Sequence, residues 1–485
     1  MDAIRDERQA AATGAAGRRP PTRWALASLS LSMLLASLGT SIANVALPTL
    51  ATSFRAPFPA VQWVVLSYLV ATTTLVVSAG RLGDAAGRRR VLSTGILVFT
   101  GASALCGLAP SLWMLVAARA LQGVGAATML ALTMAFVSGT VPKERIGAAM
   151  GLLGTMSAVG TALGPSLGGL LIAGLGWRAI FLVNLPLGVA AFLMARRFLP
   201  ADRRAAKADR VGFDSTGTVV LGLTLASYAL AMTAGRGGFG PGGVALLTGA
   251  ALGVALFVLA EGRAKAPLVR PALFRDPALG AGFATSALVS TVMMATMVVG
   301  PFYLSGALGL DAGRVGIVLS AGPLVAAMTG VPAGRAVDRF GAQRMTLAGL
   351  LGIVAGAVGL STTSAATGVV GYVVPIVVVT AHYALFQTAN NTAVLAGVDA
   401  GQRGVVSGLL NLSRNLGLIT GASVMGTVFA RASGAADVAA ADPAALAAGM
   451  RATFAVAAVL VAVAFAVALA SRAPATVPPL TGETS

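Results

Sequence analysis

The 485-residue sequence is 56% apolar and only 10% charged, where a soluble globular chain carries roughly a quarter charged residues. Its 34 Lys and Arg against 16 Asp and Glu give a formal net charge of +18, but the basic residues fall in short runs between long apolar stretches, which argues against a nucleic-acid-binding face. One histidine and one cysteine leave no intramolecular disulfide and no usual zinc site, and with no nucleophile–base constellation or phosphate loop, neither an enzyme nor a resident cofactor is indicated.

In chain order, Met1–Pro21 is a polar head carrying Arg5, Arg8, Arg18 and Arg19. The apolar run after it is too long for a signal-peptide core and is read as a retained first membrane helix. Helices are expected to start near Trp24, Gln62, Val91, Ser111, Ile146, Ala179, Phe213, Gly243, Leu279, Gly313, Arg344, Val369, Gly404 and Met450, fourteen in all. Each apolar stretch is close to the ~20 residues that cross a bilayer core, and lipid offers the backbone no partners outside a helix. Alternate loops hold about 26 of the Lys and Arg residues and the opposite loops about six, an asymmetry that places both termini in the cytoplasm. The basic clusters Arg88–Arg90, Arg196–Arg210 and Arg263–Arg275 are orientation signals that also suit anionic lipid.

Two loops repeat one pattern, G-x-[LA]-x-D-x-x-G-x-x-R: Gly80–Arg90 (GRLGDAAGRRR) and Gly334–Arg344 (GRAVDRFGAQR). Their matching positions indicate duplicated halves. The expected division is a tail (1–23), a six-helix bundle (24–199), a basic linker (200–212), two inserted helices (213–261), a second basic linker (262–277), a second six-helix bundle (278–471) and a tail (472–485). Within the loops, Gly80, Gly87, Gly334 and Gly341 allow tight turns. Asp84 with Arg88, and Asp338 with Arg344, form charge clusters near helix ends that can act as a bistable gate.

Polar residues mark helix faces that should look into the bundle rather than at lipid. On the first helix these are Ser30, Ser37, Ser41 and Asn44; on the fourth, Arg119, Gln122 and Thr133, with Ala126 on the same stripe. The twelfth contributes Tyr383, Gln387, Asn390 and Asn391, and the thirteenth Ser407, Asn411 and Arg414. Arg119 and Arg414 stand out, because a guanidinium inside a membrane costs at least ~2.5 kcal/mol and marks a functional site by default. Gly160, Gly164 and Gly168 share one smooth face suited to close helix packing, and Pro165 permits a bend.

These motifs resemble the major facilitator superfamily. The first loop resembles its signature; Leu115–Ala127 (LVAARALQGVGAA) resembles its fourth-helix motif with a buried arginine. Gly160–Gly169 (GTALGPSLGG) resembles the fifth-helix motif of its exporters. Leu38–Pro48 (LGTSIANVALP) and Trp177–Gly188 (WRAIFLVNLPLG) are similar to its fourteen-helix drug/proton antiporter branch. The resemblance implies an all-α membrane protein of two pseudo-symmetric six-helix bundles plus two inserted helices. It implies a bacterial inner-membrane, multi-pass monomer that exports small organic molecules by alternating access against protons. Ser37, Ser41, Asn44, Arg119, Gln122, Tyr383, Gln387, Asn390, Asn391, Asn411 and Arg414 would then line the substrate pathway. Gly160, Gly164, Pro165, Gly168 and Gly169 would form the exporter-type helix.

One position departs from that branch. Its usual first-helix aspartate is Gly39 here, and no other acid lies near the membrane centre. Cation export loses its usual counter-ion, so neutral or anionic substrates are expected. His382, on the twelfth helix, is the candidate proton site. A metabolite importer or facilitator without proton coupling is the second reading, and a non-transporting membrane sensor on the same scaffold the third.

Overall fold

The computed structural model describes residues 22–140, 146–200, 202, 215–233, 241–263, 276–396, 398, 403–434 and 441–471. Asp214 and Asp399, which the sequence puts at helix ends or in loops, lie outside them with residues 1–21 and 472–485 of the tails, as do the side chains of Asp84 and Ser407. Every regular element among the described residues is helical. The first block comprises α1 (Thr22–Val45), α2 (Leu47–Phe54), α3 (Phe58–Ala86), α4 (Arg88–Leu108), α5 (Leu112–Thr140), α6 (Ile146–Leu175), α7 (Ala179–Leu182) and α8 (Asn184–Phe198). The pair α9 (Ser215–Thr233) and α10 (Pro241–Arg263) follows. The second block comprises α11 (Pro277–Phe302), α12 (Ala312–Phe340), α13 (Ala342–Thr362), α14 (Gly368–Ala396), α15 (Arg403–Thr420), α16 (Gly426–Ala432) and α17 (Pro443–Ala470). Tyr303–Ala307 and Gly421–Met425 are π-helical turns.

Twelve helical spans among the described residues are long and apolar enough to cross a membrane. Two of the fourteen expected spans do not meet that measure. Thr216–Ala231 is a shorter apolar helix, and Arg403–Ala432 carries three arginines and a π-turn. The helix starts otherwise lie close to expectation, except that α17 begins at Pro443 rather than near Met450. There Asp442 accepts a hydrogen bond from the Ala445 N–H with proline in the first turn, a capping arrangement that Asp276 repeats at α11; Asp311 likewise caps α12.

The duplicated loop has the same geometry twice. Gly87 (φ 101°) alone joins α3 to α4, and Gly341 (φ 86°) alone joins α12 to α13. That backbone region strongly favours glycine, which explains why the second glycine of the pattern recurs.

Packing is uneven along the molecule. One apolar core joins both blocks at the end where α1 and α11 terminate, with Val45, Leu47, Phe58, Val299, Phe302 and Phe429 among its members. A second core belongs to the first block alone, including Leu29, Leu92, Met129 and Leu153. A third belongs to the second block, including Phe283, Val394 and Val406. The blocks therefore share a core at one end and keep separate cores toward the other.

Candidate functional site

Arg119 is fully buried on α5. Its Nε donates to the Val64 carbonyl on α3 at 2.9 Å, and one terminal nitrogen donates to Gln122 Oε1, one turn along. Gln122 in turn donates to Ser103 Oγ on α4 at 2.6 Å. The guanidinium lies 4.2 Å from the Tyr68 ring centroid and 5.9 Å from that of Phe181, so π-faces take up charge that no carboxylate among the described residues meets. Its other terminal nitrogen, Nη2, has no hydrogen-bond partner among the described residues.

Gly39 belongs to the same cluster. A Cβ there would sit 3.2 Å from the Tyr68 hydroxyl and from the Phe99 ring, and that hydroxyl donates to the Ala36 carbonyl at 2.8 Å. The space of the branch's usual aspartate is thus occupied by the aromatic wall beneath Arg119. The described Asp and Glu residues all lie at helix ends or in connections.

The structure gives α1 and α6 a shared seam. Ser37 and Ser157 hydroxyls are 2.7 Å apart, and Ser41 donates to the Gly160 carbonyl at 3.3 Å. A Cβ at Gly160, Gly164 or Gly168 would run into α1 at Leu34, Ser41 and Val45, so these three glycines set the close approach of the two helices. Gly169 faces the other way. A Cβ there would lie 2.4 Å from the Ala312 carbonyl oxygen and 2.8 Å from Gly316 Cα, so α6 meets α12 of the other block backbone to backbone, beside Pro165. Asn44 donates to Thr40 and Ser41 carbonyls, with Oδ1 buried and unpartnered among the described residues.

In the second block, Asn390 donates to the Gly282 carbonyl at 3.1 Å and so ties α14 to α11. Tyr383, Gln387 and Arg414 are half-buried, Asn391 and Asn411 exposed. Arg414 Nε is buried with no partner among the described residues. His382 Nδ1 donates to the Val378 carbonyl at 2.8 Å, and its ring packs on Gly352 of α13.

At the loops, Arg88 donates to the Ala135 carbonyl at 3.1 Å. Asp202, from the linker, accepts from the Arg89 and Arg90 backbone N–H groups at 2.8 and 3.0 Å, capping α4 beside Gly87. Sequence reading missed Asp202, because nothing local marks a cap contributed from so far along the chain. Asp338 and Arg344 are exposed, and Gly80 and Gly334 have open space around them.

The closed end is completed by aromatic residues that carry no motif. Phe58, Phe302 and Phe429 form a ring cluster with centroids 4.8, 6.0 and 6.3 Å apart. Beside it, Gln62 Nε2 donates across the block boundary to the Ala422 carbonyl at 2.6 Å. Ala422 lies in the π-helical turn, where the helical hydrogen-bond register is broken.

The sequence profile described as Major Facilitator Superfamily matches residues 29–422. The chain belongs to the major facilitator superfamily. It is 32% identical over 411 residues to the uncharacterized transporter YebQ of Escherichia coli (strain K12), covering 84% of this chain and 89% of that one. It is 32% identical over 413 residues to the multidrug resistance protein Stp of Mycobacterium tuberculosis (strain ATCC 25618 / H37Rv), covering 84% and 75%. With the tetracenomycin C resistance and export protein of Streptomyces glaucescens it shares 30% over 423 residues, covering 86% and 77%. Its fold matches the solved structure of a bacterial homolog of the human lysosomal transporter Spinster, with TM-score 0.70 at 17% identity, covering 94% of this chain and 97% of that one. This superfamily member is a multi-pass membrane transporter and not an enzyme, with bacterial relatives consistent with an inner-membrane location.

Proposed function

We propose that this transporter exports small organic molecules from the cytoplasm by alternating access, as a proton antiporter that prefers neutral or anionic substrates. The observation that carries alternating access is the uneven packing of the two blocks, sealed at the Phe58–Phe302–Phe429 end and separately cored at the other. Export is supported by the relatives named for drug resistance and export. With both termini cytoplasmic and fourteen spans divided six, two and six, the loop motifs lie on the cytoplasmic side and the sealed end faces outward.

The substrate preference rests on charge. Arg119 is a fixed cation enclosed by carbonyl, amide and aromatic partners, and Arg414 has a buried Nε without a partner among the described residues. A positive charge in low dielectric that no carboxylate among the described residues neutralises repels a lipophilic cation and attracts an anion or a carbonyl dipole. Tyr383, Gln387, Asn391, Asn411 and Arg414 are proposed as the substrate-facing set of the second block, since exposed amides on membrane helices belong beside water rather than lipid.

Inverted vesicles with an imposed pH gradient test the coupling. Substrate-driven collapse of the gradient is expected; uptake without collapse establishes the second reading, a facilitator without proton coupling, which the lack of a carboxylate inside the described membrane helices favours. Efflux of a lipophilic cation and of an anionic antibiotic, compared in cells lacking other pumps, tests the preference. Strong export of the cation alone overturns it.

A further inference from the structure

The inserted pair and α15 border an apolar, half-open cavity, outside the proposed pathway. It measures about 560 Å³ and lies between α9, α10 and α15, with Leu225, Leu247, Val254, Phe257, Leu412 and Leu416 among its walls. Leu412, Leu416 and Thr420 repeat every four residues and so form one face of α15. Ser413 and Gly417, on a neighbouring face, pack instead against α11.

The few polar groups at its rim are engaged elsewhere. The Tyr228 hydroxyl donates to Thr420 Oγ1 at 3.1 Å, Thr420 donates to the Leu416 carbonyl at 2.8 Å, and Thr224 donates to the Val220 carbonyl at 2.7 Å. Among the described residues no charged side chain lines it. Water is excluded, because an apolar hollow supplies none of the two to four partners a buried water needs. An empty hollow of this size would forfeit dispersion contacts along its whole lining. Only 11% of the most apolar stretch of α10 is buried inside the protein, and the α10 wall residues, from Leu247 to Val258, lie within the apolar span Gly242–Ala260. The medium at the cavity mouth is therefore bilayer hydrocarbon, which is as apolar as leucine.

We propose that this cavity is a binding site for one acyl chain of a membrane phospholipid, which completes the packing of the inserted pair against the second block. Helix α9 also holds the first block. Ser78 and Thr218 hydroxyls are 2.5 Å apart, and a Cβ at Gly222 would touch Thr74 of α3 at 3.0 Å. Helix α9 thus sits over the seam between α3 and α15, hydrogen-bonded to each. A deformable chain in the cavity lets the blocks rock while α9 stays seated on both.

The test uses the full chain in phosphatidylethanolamine/phosphatidylglycerol vesicles doped with a phospholipid bearing a diazirine in its acyl chain. After photolysis, mass spectrometry maps the adducts. Adducts on Leu225, Val254 and Leu416 are expected several-fold above those on Val459 and Val463, exposed residues of α17. Ala251→Phe, which fills the cavity, is expected to remove the cavity adducts and leave those on α17; Leu416→Trp does the same from the opposite wall. Equal labelling of cavity and α17 in the wild-type protein overturns the proposal, and needs neither variant to fold. So does unchanged cavity labelling in both variants, or its loss on adding a lipophilic dye, which would assign the cavity to cargo.

Discussion

Arg119 depends on a planar fork: Nε and one terminal nitrogen bond different partners while the guanidinium face stacks on Tyr68. Lysine cannot reproduce that arrangement. Arg119→Lys is therefore expected to lower vesicle transport about tenfold or more, the loss of more than ~1.4 kcal/mol, while Arg119→Ala abolishes it. Size-exclusion profiles should show both variants folded. Gly39→Asp is expected to shift preference toward lipophilic cations, measured as the ratio of cation to anion efflux. The new carboxylate meets Tyr68 and Phe99 at 3.2 Å from its Cβ, so the aromatic wall must give by a few tenths of an ångström, and a modest loss of thermal stability accompanies the change. An unaltered ratio would remove Gly39 from the specificity argument.

The helices are positioned by backbone approach rather than by side-chain interlock. Along α6, Gly160, Gly164 and Gly168 receive α1, while Gly169 receives α12. Valine at Gly164 is expected to destabilise the protein by about 1–3 kcal/mol, as overpacking does, read as a lowered melting temperature in detergent. Gly87 carries a second constraint besides its positive φ. A Cβ there would lie 2.4 Å from the Asp202 carboxylate that caps α4. Asp202→Ala should cost about 0.5–2 kcal/mol, as loss of a helix cap does. The same variant should raise protease cleavage of the linker if Asp202 docks it.

For the whole molecule, the sealed end must open if the blocks rock about a central site. A Cβ at Gly313 would stand 3.7 Å from that of Ala173, across the α6–α12 contact, close to the separation of a disulfide. In a Cys106→Ser background, Ala173→Cys with Gly313→Cys is expected to crosslink on mild oxidation and stop transport. Reduction should restore it. Transport that survives full crosslinking would exclude opening at this contact. Gln62→Leu, which removes the hydrogen bond to the Ala422 carbonyl, should make cysteines placed beside Phe302 more reactive to a membrane-impermeant thiol reagent.

Apolar runs, basic loops, the twin glycine-hinged loops and the order of five motifs were enough to identify helices and superfamily, because hydropathy, turn geometry and small-residue spacing act over a few residues. The positions of the acids in the sequence lead to the expectation that Arg119 has no carboxylate partner, but they do not show what surrounds it. Its partners from outside α5 come from α3 and the Phe181 segment, with Ser103 of α4 held by Gln122 behind them, brought together only by packing. Sequence marks His382 as the candidate proton site and Asn390 as a pathway residue; which neighbours they meet is added by packing, His382 lying on Gly352 and Asn390 tying α14 to Gly282. Periodicity gives a residue's face but not which neighbour that face meets. The aromatic seal, the Gln62 bond to a π-turn, the Asp202 cap and the lipid-side cavity were invisible for the same reason. Each joins residues far apart in the chain, so the sequence determined the elements and their membrane setting, and tertiary packing alone decided which end is shut.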